Sequence, residues 1–150
     1  MDVFFSLLGL VILCPVLFLL FVLIRITSEG PGFFTQDRVG KNGKLFKIIK
    51  FRTMYLIQDS STSISIKGDS RVTKIGAFLR KYKLDELLQL WNVFIGNMSF
   101  VGPRPCLFNQ KRLINERKKR GVFKVKPGIT GLAQVSGITM KTPKLLSKTD

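Results

Sequence analysis

From Val3 to Ile24 the chain runs 22 residues without a charged side chain, and no other feature limits its fold as strongly. As an α-helix that stretch reaches roughly 33 Å, enough to cross a hydrocarbon core of about 30 Å. Pro15 stands near its middle, where it deletes a backbone hydrogen bond and bends the helix, and Cys14 before it offers little help to the freed carbonyl. A break at Cys14 and Pro15 turns the segment back, whereas an intact helix spans; periodicity alone does not separate the two. A cleaved leader fits poorly, because Asp2 stands where a basic region belongs and no A-x-A site follows.

The sequence after the apolar run has a different character. From Arg25 onward it holds all 25 Lys and Arg and eight of the nine acids, so a small, strongly basic domain is tethered to a greasy segment. The division falls at 1–26 and 27–150. Such charge suits an anionic membrane face, phosphorylated substrates or nucleic acid, and the apolar segment favours the first two. The positive-inside rule keeps the basic part cytoplasmic. The chain has no histidine, which removes Ser-His and Cys-His nucleophile systems and imidazole metal sites. General-base or metal chemistry must then rest on carboxylates, with Mg2+ the natural ion. Cys14 and Cys106 are read as reduced, packing cysteines.

Gly30-Pro31-Gly32 is a turn leaving the apolar segment. Phe33 to Gln36 and Leu45 to Phe51 are β-prone runs, and the Asn42-Gly43 pair between them favours a tight hairpin. Lys47, Lys50 and Arg52 on the second run are either solvated strand charges or ligands, Lys50 and Arg52 sharing one face. Residues 57–70, rich in Ser, Thr and Asp, are a polar and flexible excursion. Helical spacing resumes at Val72, Ile75, Phe78, Leu79 and Tyr82.

From Leu84 a second helical pattern puts Leu84, Leu87, Leu88, Trp91, Phe94 and Ile95 on one face, with Asp85, Gln89 and Asn92 opposite. Asp85 and Glu86 open that helix, where free N–H groups and the positive end of the dipole favour anions, and Arg80, Lys81 and Lys83 precede them. Both acids are expected to be ionised at neutral pH. Standing alone, the two acids would more simply be an N-cap and a first-turn charge. Further on, Met98 to Val101 is extended. In Gly102-Pro103-Arg104-Pro105 the prolines exclude Arg104 from a helix, leaving either a guanidinium held rigidly for phosphate or a surface turn. Leu107 to Arg120 is either a basic helix on an anionic leaflet or a solvated charge run. Lys126-Pro127-Gly128-Ile129-Thr130-Gly131 is a glycine loop able to approach a ligand closely. No GxxxxGK[ST], GxGxxG or internal repeat occurs.

Taken in order, Phe51-Arg52-Thr53-Met54, Asp69 to Gly76 with Leu79-Arg80-Lys81, Leu84 to Leu87 with Gln89 to Val93, Gly96 to Pro105 and Lys126 to Gly131 cover most of the chain. Together they resemble the bacterial sugar transferases, the monotopic phosphoglycosyl transferases that load a sugar phosphate onto a polyprenyl phosphate. The resemblance implies an α+β, mainly helical fold: a re-entrant helix broken at Cys14 and Pro15, and a small interfacial domain with a β-hairpin and amphipathic helices. It places the protein on the cytoplasmic face of a bacterial inner membrane. By the same carry-over Asp85 is the nucleophile toward a UDP-sugar, UMP leaves, and undecaprenyl phosphate takes the phosphosugar for downstream glycosyl transferases. Glu86 holds Mg2+ with Asp85 or positions the acceptor. Arg80 and Arg104 match phosphate-contacting arginines, and Lys50 and Arg52 are further candidates.

The chain departs from the family pattern at Lys83, where Ser or Thr is usual, and at Met1-Asp2, where a basic residue usually leads into the membrane. The family often carries another aromatic or basic residue around Leu132 to Ile138. Its domains continue past the equivalent of Asp150, so the expectation is a chain clipped at its C-terminus. Two rival readings predict other behaviour. A non-catalytic basic module would bind anionic lipid or a partner transferase, and a membrane-tethered nucleic-acid binder would need an aromatic platform that this chain lacks.

Overall fold

The computed structural model describes residues 1–56, 69–140 and 142–150. The expected polar excursion at 57–70 therefore lies mostly outside the described residues. Helix α1 (Asp2–Thr27) contains Pro15 and continues through it, so the helix is not interrupted at Cys14 and Pro15 as expected. Proline removes one hydrogen bond of a long ladder, and both halves of α1 are held against the rest of the protein. Gly9 approaches Leu90 so closely that a Cβ there would sit 3.3 Å from a Leu90 methyl, and Leu20 and Ile24 pack with Phe51 and Leu79. The outer face exposes Phe4, Val11, Ile12, Phe18, Leu19 and Ile26, a patch that a water-facing surface rarely carries. Arg25 closes the helix by donating to the Gly30 carbonyl at 2.7 Å, where a cation also suits the dipole.

The hairpin forms as expected. Strand β1 (Phe33–Val39) pairs antiparallel with β2 (Leu45–Phe51), in a register running from Phe33 opposite Phe51 to Val39 opposite Leu45. Asn42 and Gly43 take φ of 57° and 74° at the turn, the left-handed pair that Asn-Gly supplies. Short β4 (Cys106–Leu107) adds to the other side of β1, giving the order β2-β1-β4. A second, parallel pair joins β3 (Ser99–Val101) to β5 (Gly128–Thr130). Helices α2 (Lys74–Lys81), α3 (Gln89–Phe94), α4 (Lys111–Lys119), α5 (Leu132–Val135) and α6 (Pro143–Thr149) surround these sheets. The result is a mixed α+β fold.

Two expectations about helix faces are corrected. Residues 84 to 95 are not one helix: Leu84–Glu86 is a 3-10 turn, and α3 follows it. The polar side of this segment faces inward. Gln89 is 3 % exposed and Asn92 0 %, whereas Trp91 and Ile95 are 45 % and 47 % exposed. Asn92 explains the inversion, since it accepts from the Ile49 N–H at 3.0 Å and donates to the Lys47 carbonyl at 2.8 Å. One amide thus satisfies the free edge of β2, which would otherwise carry unpaired backbone groups. Leu84, Leu87 and Leu88 pack beneath α1. In the basic run, Leu107 belongs to β4 rather than to α4. Arg117 is no surface charge: it is 1 % exposed and ion-paired with Asp150 at 2.6 Å. Lys111, Arg112, Lys118, Lys119 and Arg120 do face solvent.

Candidate functional site: two carboxylates among cations

Thr73 caps α2, its hydroxyl accepting from the Gly76 N–H at 2.8 Å. Ten residues on, after α2 has ended, the chain turns at Lys83, held in the left-handed region at φ 59°. Non-glycine residues rarely adopt that conformation. The 3-10 turn that follows sends Leu84 into the core under α1 and brings Asp85 and Glu86 beside β2.

Arg104 arrives from the opposite side on Gly102-Pro103-Arg104-Pro105. That loop is fixed by backbone hydrogen bonds to the second glycine loop, Gly102 N–H to the Thr130 carbonyl at 2.9 Å and Gly128 N–H to the Pro103 carbonyl at 3.0 Å. Contact is so close that a Cβ on Gly128 would lie 2.1 Å from the Gly102 nitrogen. The glycines of this loop serve to bring backbone against backbone. Buried Arg117 donates to the Arg104 carbonyl at 2.8 Å, and Arg38 to the Pro105 carbonyl at 3.1 Å, so two arginines hold the loop from behind.

Glu86 is the centre of the charge cluster. Its Oε1 accepts from Lys50 Nζ at 2.5 Å and from Arg104 Nη2 at 3.0 Å. Burial alone would push this carboxyl up, but Lys50 and Arg104 outweigh it through charge and hydrogen bonding and hold it at about 2. Lys50 shifts against the pair: burial draws its ammonium down, with Arg104 adding to the fall, and Glu86 restores only part. Both fall, which favours the charged form of Glu86 and disfavours that of Lys50: Glu86 meets two cations, whereas for Lys50 burial and Arg104 outweigh Glu86 and Asp85. The cluster's net contribution is therefore smaller than the Glu86 shift alone implies, at most about 3 kcal/mol.

The sign of the pH dependence follows from that shift. The Glu86 contribution is fully present above pH 4.5, its ordinary value, and is lost as pH falls through about 2. Acid denaturation of Glu86→Gln is expected to lose much of the steepness the unaltered protein has between those two values. Melting temperatures across that range measure it, and equal slopes in the two proteins would contradict the assignment.

Asp85 behaves otherwise. Burial pushes its carboxyl upward, Lys50 and Arg80 offset part of this, and Glu86 adds to it. The expectation that a helix start would favour its ionised form is corrected, because a three-residue turn has little dipole and desolvation prevails. Its Oδ1 is buried without a hydrogen-bond partner. Orphaned buried acceptors are rare and invite a ligand.

Of the residues singled out in the sequence, the structure brings Lys50, Asp85, Glu86 and Arg104 together. Arg80 lies near enough for its charge to act on Asp85 and donates from Nε to the Thr53 hydroxyl at 2.8 Å. Arg52 is not part of the group. The strand ends at Phe51, and Arg52 turns to the Ser28 and Glu29 carbonyls at 2.7 and 2.5 Å, clamping the exit of α1. Sequence reasoning passed over Arg38, Thr53, Asn92 and Arg117. Thr53 and Asn92 stood inside quoted motifs without a role of their own; the partners of Arg38 and Arg117 lie far away in sequence.

A cleft of about 990 Å3 opens beside Glu86, lined by Glu86, Arg104 and Lys83 and by apolar side chains that include Phe5 and Leu13 of α1 and Ile138, Met140 and Leu146. Among the described residues no three acids, cysteines or histidines gather in a metal-binding group.

The family described as bacterial sugar transferase matches residues 1–149. The chain is 43% identical over 149 residues to a UDP-glucose:undecaprenyl-phosphate glucose-1-phosphate transferase of Klebsiella pneumoniae, covering 96% of this chain and 32% of that protein. It is 47% identical over 106 residues to a putative undecaprenyl-phosphate N-acetylgalactosaminyl 1-phosphate transferase of Bacillus subtilis, covering 70% and 59%. It is also 41% identical over 152 residues to the exopolysaccharide production protein PSS of Rhizobium leguminosarum, covering 95% and 75%. The chain thus spans about a third of the Klebsiella relative's length.

Proposed function

This chain belongs to the bacterial sugar transferase family, and from that premise we propose that it moves a sugar 1-phosphate from a UDP-sugar to undecaprenyl phosphate, releasing UMP. One observation carries the reading: a buried carboxylate oxygen, Asp85 Oδ1, without a partner and within the field of Lys50 and Arg80. A carboxylate needs no base to act as a nucleophile. Kept from water, it is not held back by its own hydration.

In the first step an Asp85 oxygen forms a bond to the β-phosphorus of the donor. The bond from that phosphorus to the bridging oxygen breaks, and its electron pair leaves with UMP. In the second step a phosphate oxygen of the lipid attacks the same phosphorus, and the Asp85 carboxylate departs unchanged. Two anions repel as they approach, so the site must offset their charge. Arg104, held to Glu86 by a single 3.0 Å contact and otherwise rigidly backed, is placed to turn to a phosphate; Arg80 and Lys50 supply fixed positive charge behind Asp85. Glu86 positions these cations.

Mg2+ fits the donor set. This ion takes one or two carboxylates and completes its octahedron with water and substrate phosphates, so it needs no three-acid cluster. Asp85 and Glu86 would hold it, and when bound it neutralises charge on the diphosphate.

The same reading places the protein on the cytoplasmic face of the inner membrane, with α1 embedded from that side. Contacts to the domain at Gly9, Leu20 and Ile24 support this, because a straight helix leaving a water-borne domain would carry its first half out of reach. Pro15 then bends α1 without ending it. As for the sugar, relatives named for glucose and for N-acetylgalactosamine match almost equally, and the proposal stops at a UDP-sugar.

Incubation with Mg2+, undecaprenyl phosphate and a panel of UDP-sugars tests it. UMP is the expected nucleotide product, and release of UDP would mark an ordinary glycosyl transfer.

A further inference from the structure

The cleft beside Glu86 has a chemistry of its own. Phe5, Gly9 and Leu13 of α1, Leu87 and Leu90, and Val135 and Leu146 line it. At about 990 Å3 it stands at the upper end of the 300–1,000 Å3 usual for small-molecule sites. Its lining is mostly apolar, and Lys83, Glu86 and Arg104 are its charged residues. Its α1 wall belongs to the one helix, among the described residues, that is long and apolar enough to cross a membrane.

The two cations lining the cleft are not equivalent. Arg104 is ion-paired with Glu86, which it shares with Lys50 behind the cleft's lining. Lys83 is exposed, has no ion pair or side-chain hydrogen bond among the described residues, and stands in a left-handed backbone conformation that costs a lysine free energy. Strain of that kind persists where the surroundings impose it, and here it fixes Lys83 on the lining of the cleft.

A mostly apolar trough lined by an exposed lysine that has no ion pair among the described residues complements an amphiphile with a long hydrocarbon tail and a single anionic head. We propose that this cleft seats the head-proximal isoprenoid carbons of the acceptor lipid and that Lys83 meets its phosphate. The identity of the acceptor rests on the transfer reading above; the complementarity to a lipid phosphate does not. Lys83 thereby becomes the group that distinguishes a phosphorylated acceptor from the bare alcohol.

Binding of farnesyl phosphate and of farnesol to the full chain in phosphatidylcholine nanodiscs tests this without turnover. The unaltered protein is expected to prefer the phosphate. Lys83→Ala should weaken farnesyl phosphate about tenfold, the worth of one charge-assisted hydrogen bond, and leave farnesol unchanged, while Lys83→Arg keeps the preference. Val135→Trp, at an exposed position on the cleft wall, should weaken both. Wild-type affinity for farnesyl phosphate in Lys83→Ala, unchanged binding of both lipids in Val135→Trp, or equal competition by inorganic phosphate would each overturn the proposal. Exchange of labelled UMP into UDP-sugar, measured on the unaltered protein, reports separately on the transfer reading: its absence beside intact lipid selectivity removes that reading and leaves the cleft assignment standing.

Discussion

Asp85→Asn is expected to lower sugar-phosphate transfer about a thousandfold or more while leaving the protein folded. The amide keeps the shape of the side chain, yet it is a far poorer nucleophile and cannot stand in for the carboxylate. Stability should not fall with activity. Burial disfavours the Asp85 charge in the native protein, so a neutral replacement removes a desolvation cost, and a melting temperature equal to or above that of the unaltered protein is expected. UMP release and thermal denaturation measured on one preparation give both halves of the result. A non-catalytic lipid-binding module predicts the reverse, with function intact in the variant.

Gly128→Ala should be among the most damaging small substitutions outside the carboxylates. Its Cβ would sit 2.1 Å from the Gly102 nitrogen and 2.7 Å from the Gly102 Cα, both of them backbone, so no side chain can swing aside. The loops must part, breaking the Gly102–Thr130 and Gly128–Pro103 hydrogen bonds and carrying Arg104 away from Glu86. A loss of more than about 3 kcal/mol is expected, in the range of overpacking combined with unsatisfied backbone groups. Gly43→Ala serves as the comparison: a Cβ there meets nothing within 4 Å, and only its positive φ opposes it. A Gly128→Ala protein that melts with the unaltered one would show that the two loops do not depend on each other.

Much of the fold was legible wherever the cause was local. The Asn42-Gly43 turn, the β2 boundaries and the helix around Leu79 follow from turn chemistry and spacing, and each is found as expected. Residues 84 to 95 read as one helix with an apolar and a polar face, and the structure divides them into a 3-10 turn and α3. Periodicity reports that two faces differ and is silent on whether the apolar one meets a core, another apolar helix or lipid. Here the polar face lies inside, because Asn92 completes the edge of β2.

The site was legible as a set of motifs and less so as geometry. Asp85, Glu86 and Arg104 stood out as acids between helical segments and an arginine between prolines. Lys50 and Arg52 looked alike on one strand, yet one reaches Glu86 and the other the end of α1, a distinction set by where pairing with β1 stops. Arg117 was indistinguishable from its basic neighbours, since burial depends on Asp150 and on the Arg104 carbonyl, both distant in sequence. Continuity of α1 through Pro15 likewise depends on contacts made by both halves of the helix.

Isotope exchange addresses the central claim most directly. With UDP-sugar, Mg2+ and radiolabelled UMP but no lipid acceptor, a phosphosugar carried on Asp85 predicts that label enters the UDP-sugar, and that Asp85→Asn stops it. A preparation that turns over with undecaprenyl phosphate yet shows no exchange in its absence would contradict the covalent intermediate.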